Sequence, residues 1–218
     1  DDFLLLNPGP VPVSESVLSA MREPMISHRS DSFEQIYERA KDGLEYIFTR
    51  STPDETPTAN DGTPIILNGT ATMGMEAAIA NLVSRDSTVL ALNNGKFGRR
   101  FARIAYRHCN VKRHEIEWGE SFVVDDVAEA ITDDIDVVTM VHNETSSGLS
   151  NPVGEIGELA HENDSYFVID GVTSIGGDEF RIDDWNIDVA ITDAQKALAS
   201  PPGISAMYVT ERAIDAFD

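Results

Sequence analysis

The chain has 218 residues, enough for one large domain with an appendage, and sets 38 acidic against 16 basic side chains, a formal charge of −22. That balance argues against nucleic acid, whose phosphates want a basic surface. The carboxylates are spread along the chain, as on the solvated surface of a halophilic protein, where salt screens self-repulsion and stability is expected to rise up to molar salt; an acidic mesophile protein is the plain alternative. A single cysteine, Cys109, rules out an internal disulfide and suits a reducing cytoplasm. The five histidines (28, 108, 114, 142 and 161) show no metal-ligand spacing, so no metal site is expected. No apolar run reaches the length of a membrane span, and no signal-peptide core is present. The first residue is aspartate, so the natural start is expected to lie upstream.

Residues 1–14 read as an extended N-terminal arm, punctuated by Asn7-Pro-Gly-Pro10, and 15–218 as one domain. Ser14 caps a short helix through Met21. A long amphipathic helix follows, capped by Ser30 or Asp31, with Phe33, Ile36, Tyr37, Ala40, Leu44 and Ile47 expected to form one buried face. His28 and Arg29, just before it, are candidates for the rim of a site. Arg50 to Thr63 is rich in proline, threonine and aspartate and reads as a surface loop. From Pro64 onward, strands and helices alternate, which implies right-handed crossovers and a mainly parallel sheet.

Ile65–Leu67 is a strand, and Asn68-Gly-Thr-Ala-Thr72 turns into a helix over Met73–Val83. Free amides and the positive end of the helix dipole make this turn a candidate phosphate site, though it also reads as an ordinary Thr-capped helix start. It lacks the lysine of a nucleoside-triphosphate loop and the glycine spacing of a dinucleotide fold. The strand Thr88–Leu92 delivers Asn93–Gly98, read as a turn holding Phe97, and a helix is expected over Phe101–Arg107. A strand over Val111–Trp118 and a short helix over Asp125–Ile131 come next. The strand Asp136–Val141 carries His142-Asn-Glu-Thr-Ser-Ser-Gly148 to the same edge. A helix over Ile156–His161 leads into Tyr166–Asp170, an apolar strand ending in one carboxylate. Val189–Ile191 is a strand, Ile204–Val209 is another, expected to run antiparallel, and Glu211 opens a helix.

Two residues carry the chemistry. Lys196 follows a strand end with small or apolar neighbours behind it, before Pro201-Pro202-Gly203 stops any helix. Such a lysine is partly desolvated and its amine nucleophilic. Asp170 ends an upstream strand. Pyridoxal 5′-phosphate chemistry needs this pair: an amine to condense with the aldehyde, and a carboxylate to keep the pyridine nitrogen protonated.

Val-Ile-Asp-Gly-Val-Thr-Ser-Ile-Gly-Gly (168–177) and Asp-Ala-Gln-Lys-Ala-Leu-Ala-Ser-Pro-Pro-Gly (193–203) resemble the class V aminotransferases, in the alanine–glyoxylate and serine–pyruvate branch. The resemblance starts at Asn7 and covers essentially the whole chain. It implies an α/β fold, a three-layer sandwich with a mostly parallel sheet and one antiparallel strand. It assigns Lys196 and Asp170 as catalytic, Thr70, Ala71, Thr72 and Gln195 to the coenzyme phosphate, and Phe97 as the ring that stacks on the pyridine, where a core phenylalanine is the plain alternative. Thr145 then supplies a hydroxyl near O3′, Ser174 belongs to the coenzyme site, and Asn7 and Gly9 lie beside the substrate carboxylate. Ala71 and Asn143 stand where the family usually has glycine.

The implied reaction moves an amino group from alanine or serine to glyoxylate or pyruvate. Val141-His-Asn-Glu-Thr also resembles a 2-aminoethylphosphonate-type transaminase. A catalytically silent coenzyme-binding domain is a further reading, against which the intact Lys196 and Asp170 argue. By the same resemblance, a C-terminal small domain, absent from these residues, carries the substrate-carboxylate arginine, and a partner subunit completes the phosphate site in a homodimer.

Overall fold

A computed structural model describes residues 5–49 and 62–216. Its framework is a seven-stranded sheet built from β1 (Thr63–Asn68), β2 (Thr88–Asn93), β3 (Asn110–Glu115), β4 (Val137–Val141), β7 (Tyr166–Asp170), β8 (Val189–Asp193) and β9 (Ile204–Val209), in the order β1-β9-β8-β7-β4-β2-β3. β3, β2, β4, β7 and β8 pair in parallel, and β9 runs antiparallel to both neighbours, β8 and β1. The sheet is therefore mostly parallel with one reversed strand, at the position expected for it. A two-stranded hairpin, β5 (Asn143–Glu144) and β6 (Leu149–Ser150), projects beyond β4.

The central strands are buried on both faces, and period-2 alternation divides their side chains between two cores. Leu90, Leu92, Val138, Met140, Phe167, Ile169, Ala190, Ala206 and Tyr208 point to one face. There they meet Phe48 from α2 (Asp31–Thr49), Val127 from α5 (Val124–Ala130), and Val153 and Ile156 from α6 (Val153–Glu162). Val89, Val137, Val168, Val189, Ile191, Met207 and Val209 point to the other. That side is covered by α3 (Ala71–Leu82), α4 (Lys96–Ala105) and Ala213 of α7 (Glu211–Asp215). Helices on both faces of one sheet make the three-layer sandwich.

Three local expectations need correcting. The apolar face of α2 is not buried over its first half: Phe33, Ile36 and Tyr37 are exposed, and burial begins with the half-buried Leu44 and reaches completion only at Phe48. Periodicity reports an apolar stripe but not what covers it. Secondly, α4 starts at Lys96, so Phe97 sits in a helical first turn rather than in a loop. Thirdly, β3 is an edge strand with a mostly exposed surface and ends at Glu115, short of Trp118. The caps behave as read: Ser14 Oγ accepts from Val17 N at the start of α1 (Glu15–Ala20), and Ser30 Oγ accepts from Phe33 N on α2. Nearly all of the Arg50–Thr63 segment lies outside the described residues.

Candidate active site

In a parallel sheet the carboxyl ends of the strands open on one edge, and the turns that follow them converge there. Here the turns after β1, β2, β4, β7 and β8 enclose a cavity of about 240 Å³. Thr70, Ala71, Thr72, Phe97, Thr145, Asp170, Gln195 and Lys196 all line it. Segments up to about 125 residues apart in sequence, residues 70–72 and 193–196, thus share one wall. Strand direction alone accounts for the convergence.

Asp170 is the last residue of β7 and is 3% exposed. Its Oδ1 accepts from Val172 N at 3.0 Å. Burial pushes its carboxyl up to about 7; the Val172 amide and Arg100 pull it down, while Glu144 and Asp193 push it up further. A carboxyl in such surroundings gives up its proton readily only when a cation arrives, and a protonated pyridine nitrogen is such a cation.

Lys196 is half-buried, and its chain is braced from the N-terminal arm. Val11 N donates to Gln195 O at 3.0 Å, and Gly9, with φ of +153°, packs directly on the lysine stem. A Cβ at position 9 would overlap Lys196 Cδ and stand 2.7 Å from its Nζ. Gly9→Ala is therefore expected to push the amine off its line and to strain the backbone. A loss of coenzyme affinity of about tenfold or more, read by absorbance titration of the full-length protein, is the expected outcome; unchanged affinity would remove Gly9 from the site.

Phe97 and Arg100 lie one helical turn apart on α4, with the guanidinium 4.9 Å from the ring centroid. Arg100 Nη1 donates to Thr72 Oγ1 at 3.0 Å, joining α4 to the first turn of α3. Sequence reasoning missed Arg100, although its i, i+3 spacing from Phe97 was the available signal. It also missed Asp193, which is buried at the end of β8. Asp193 Oδ2 accepts from Ala71 N at 3.2 Å and from Gln195 Nε2 at 2.7 Å, while Asp193 Oδ1 and Gln195 Oε1 are buried without a protein partner. One amide of the α3 turn, together with the Gln195 amide group, is thus committed to a carboxylate rather than left open. Arg100, which also lines the cavity, adds a positive charge there.

Other assignments are placed less directly. Ser174 is fully buried, its hydroxyl donates to Gly171 O at 3.3 Å, and it does not reach the cavity wall; Thr173 does, with its hydroxyl on Asn143. Asn7 is exposed and, among the described residues, its side chain donates only to Gly9 O, and His28 and Arg29 are exposed and do not line the cavity. Asn143 lines it, its side chain held between Thr173 and Ser150.

The residues present fit pyridoxal 5′-phosphate: a buried carboxylate, a lysine, an aromatic wall and a helix N-terminus share one cavity. Comparison with known proteins agrees. The chain is 39% identical over 214 residues to an uncharacterized aminotransferase of Methanocaldococcus jannaschii, covering 96% of this chain and 53% of that protein. It is 33% identical to the (S)-ureidoglycine–glyoxylate transaminase of Bacillus subtilis, over 97% of this chain and 49% of that one. The crystal structure of an alanine–glyoxylate aminotransferase from Nostoc superposes with a TM-score of 0.89 at 33% identity, over 98% of this chain and 55% of the other. The chain spans about half the length of the relatives it matches. The sequence model of the family described as Aminotransferase class-V, whose coenzyme is pyridoxal 5′-phosphate, matches residues 3–218, and with that cavity at the carboxyl edge of its sheet the chain belongs to the class V aminotransferases.

Proposed function

We propose that this chain is the coenzyme-binding large domain of a transaminase that moves the amino group of a small amino acid, alanine or serine, to glyoxylate or pyruvate. The observation that carries the reading is the meeting of Lys196, Asp170 and Phe97 in one cavity. Two of the relatives above act on glyoxylate by name, which supports that acceptor. The bound coenzyme supplies the aldehyde that takes up the amino group and the ring that accepts an electron pair.

The rest falls to the protein. Lys196 Nζ takes the proton from the donor Cα and returns it at C4′. Asp170 holds a proton at the pyridine nitrogen, and Phe97 covers one ring face and excludes water. The turn at Thr70, Ala71 and Thr72 brings the α3 N-terminus to the phosphate, with Arg100 beside it, and the Ala71 amide and Gln195 side chain exchange Asp193 for the phosphate when it arrives. Thr145 donates toward O3′. A C-terminal small domain supplies the cation for the substrate carboxylate, and a second subunit closes the phosphate end, so the working form is a homodimer, acting in a salt-rich cytoplasm.

The test is turnover of alanine with glyoxylate by the full-length protein in molar salt, alongside serine and 2-aminoethylphosphonate as donors. Turnover with alanine or serine is expected. A preference for the phosphonate would replace the donor assignment, and no turnover with any donor would overturn the reading.

A further inference from the structure

Two of the turns at the cavity, those after β2 and β4, are tied by a single buried carboxylate. Glu144 is 0% exposed. Its Oε2 accepts from Phe97 N at 2.9 Å and Gly98 N at 3.1 Å, the second and third amides of α4. Its Oε1 accepts from Ser146 N at 3.1 Å and Ser146 Oγ at 2.6 Å, and Ser146 Oγ accepts in turn from Lys96 N at 2.9 Å. The first three amides of α4 are thus satisfied from a different turn of the chain.

The N-cap position itself is Gly95, which makes no side-chain cap. Serine or asparagine at an N-cap satisfies one such amide locally, without burying a full charge. Gly95 leaves the room that Glu144 fills: a Cβ on it would overlap Glu144 Cγ and Cδ and lie 2.7 Å from Ser146 Oγ. Burying a carboxylate carries a desolvation penalty that its hydrogen bonds must offset, so helix capping alone gives little reason for it. What the long reach adds is a rigid link between the residue that starts the Phe97 turn and the residue that precedes Thr145. Both of those side chains line the cavity.

We propose that Glu144 is a positioning residue, setting the Phe97 ring and the Thr145 hydroxyl at fixed height and tilt against the coenzyme. This rests on the coenzyme reading above. Glu144 also contributes to the raised pKa of Asp170, so the group that holds the Phe97 turn also bears on the carboxyl assigned to the pyridine nitrogen.

The experiment uses the full-length protein and pyridoxal 5′-phosphate as the probe. Dissociation constants come from absorbance titration, the tilt of the bound ring from its visible circular dichroism, and integrity of the fold from melting of the coenzyme-free protein. Glu144→Gln keeps the shape and removes the charge. It is expected to weaken coenzyme binding by about 10- to 100-fold and to change the dichroism. In a Phe97→Leu background, the same substitution is expected to cost at least about threefold less than in the unsubstituted protein, since only the Thr145 arm of the link remains to be disturbed. An equal loss in both backgrounds, or no loss in either, would overturn the proposal. Should Glu144→Gln fail to fold, Ser146→Ala removes the bridging hydroxyl and leaves the carboxylate; a smaller loss with the same dependence on Phe97 is expected, and an additive one overturns the proposal. An unsubstituted protein that takes up no coenzyme would overturn the reading of the cavity, a result distinct from that of any Glu144 variant.

Discussion

Lys196→Ala will leave a folded protein without covalently held coenzyme. Lys196 is half-buried in a turn after β8, and neither hydrophobic core includes it, so the cost to the fold is small. The visible absorbance of the lysine-bound coenzyme disappears, and borohydride no longer fixes coenzyme to the chain. Turnover is expected to fall by several orders of magnitude, because the proposal gives the same amine both the attachment and the proton transfer, and removing a group with two roles costs more than either alone. Borohydride labelling that persists at another lysine would refute the assignment. Only Lys41, Lys96 and Lys112 remain as alternatives, and none of them lines the cavity.

Asp170→Asn will separate rate from binding. An amide cannot hold the pyridine nitrogen protonated, so turnover of the full-length enzyme is expected to fall by about 10²- to 10³-fold while most contacts to the coenzyme survive. The substitution also has a signature in the coenzyme-free protein. The folded carboxyl is raised from 3.8 to about 7, chiefly by burial. Its contribution to stability is therefore fully present below the unfolded value near 3.8 and is lost as pH rises through about 7. Asp170→Asn removes that dependence, and melting temperatures measured from pH 4 to pH 8 should fall less steeply in the variant. Near-normal turnover, or an unchanged slope, would count against the role given to Asp170.

How far the sequence speaks differs from residue to residue. Tyr166–Asp170 and Ile204–Val209 are read to the residue, because each is a compact apolar run bounded by a polar, glycine or proline break. Lys196 and Asp170 stand out because a rare lysine and a strand-terminal carboxylate make chemical sense together. The start of α4 is not legible in the same way. Gly95 and Gly98 argue locally for a turn, and the group that makes the helix begin at Lys96 is Glu144, far along the chain. The carboxylate of Asp193 at the α3 turn is hidden for a related reason: its partner is a backbone amide, and amides carry no sequence signal. The exposed stripe on α2 is a third kind of case. The pattern of Phe33, Ile36 and Tyr37 is plain, but a pattern cannot say which surface meets it.

The placement of β1 has a consequence for the order in which the protein is made. β1 pairs with β9 alone, Thr63 facing Val209 and Asn68 facing Ile204, and Gly69 N is held by Gly203 O. On the ribosome, β1 is synthesised early yet, among the described residues, has no strand to pair with until the chain has emerged past β9. Closure of so long a loop is slow, and an unpaired strand is exposed to wrong partners while it waits. The strand that leads into the Thr70–Thr72 turn is thus the last to gain a partner in the sheet, and a nascent chain arrested before Ile204 is expected to hold that turn loosely even when its central strands are complete.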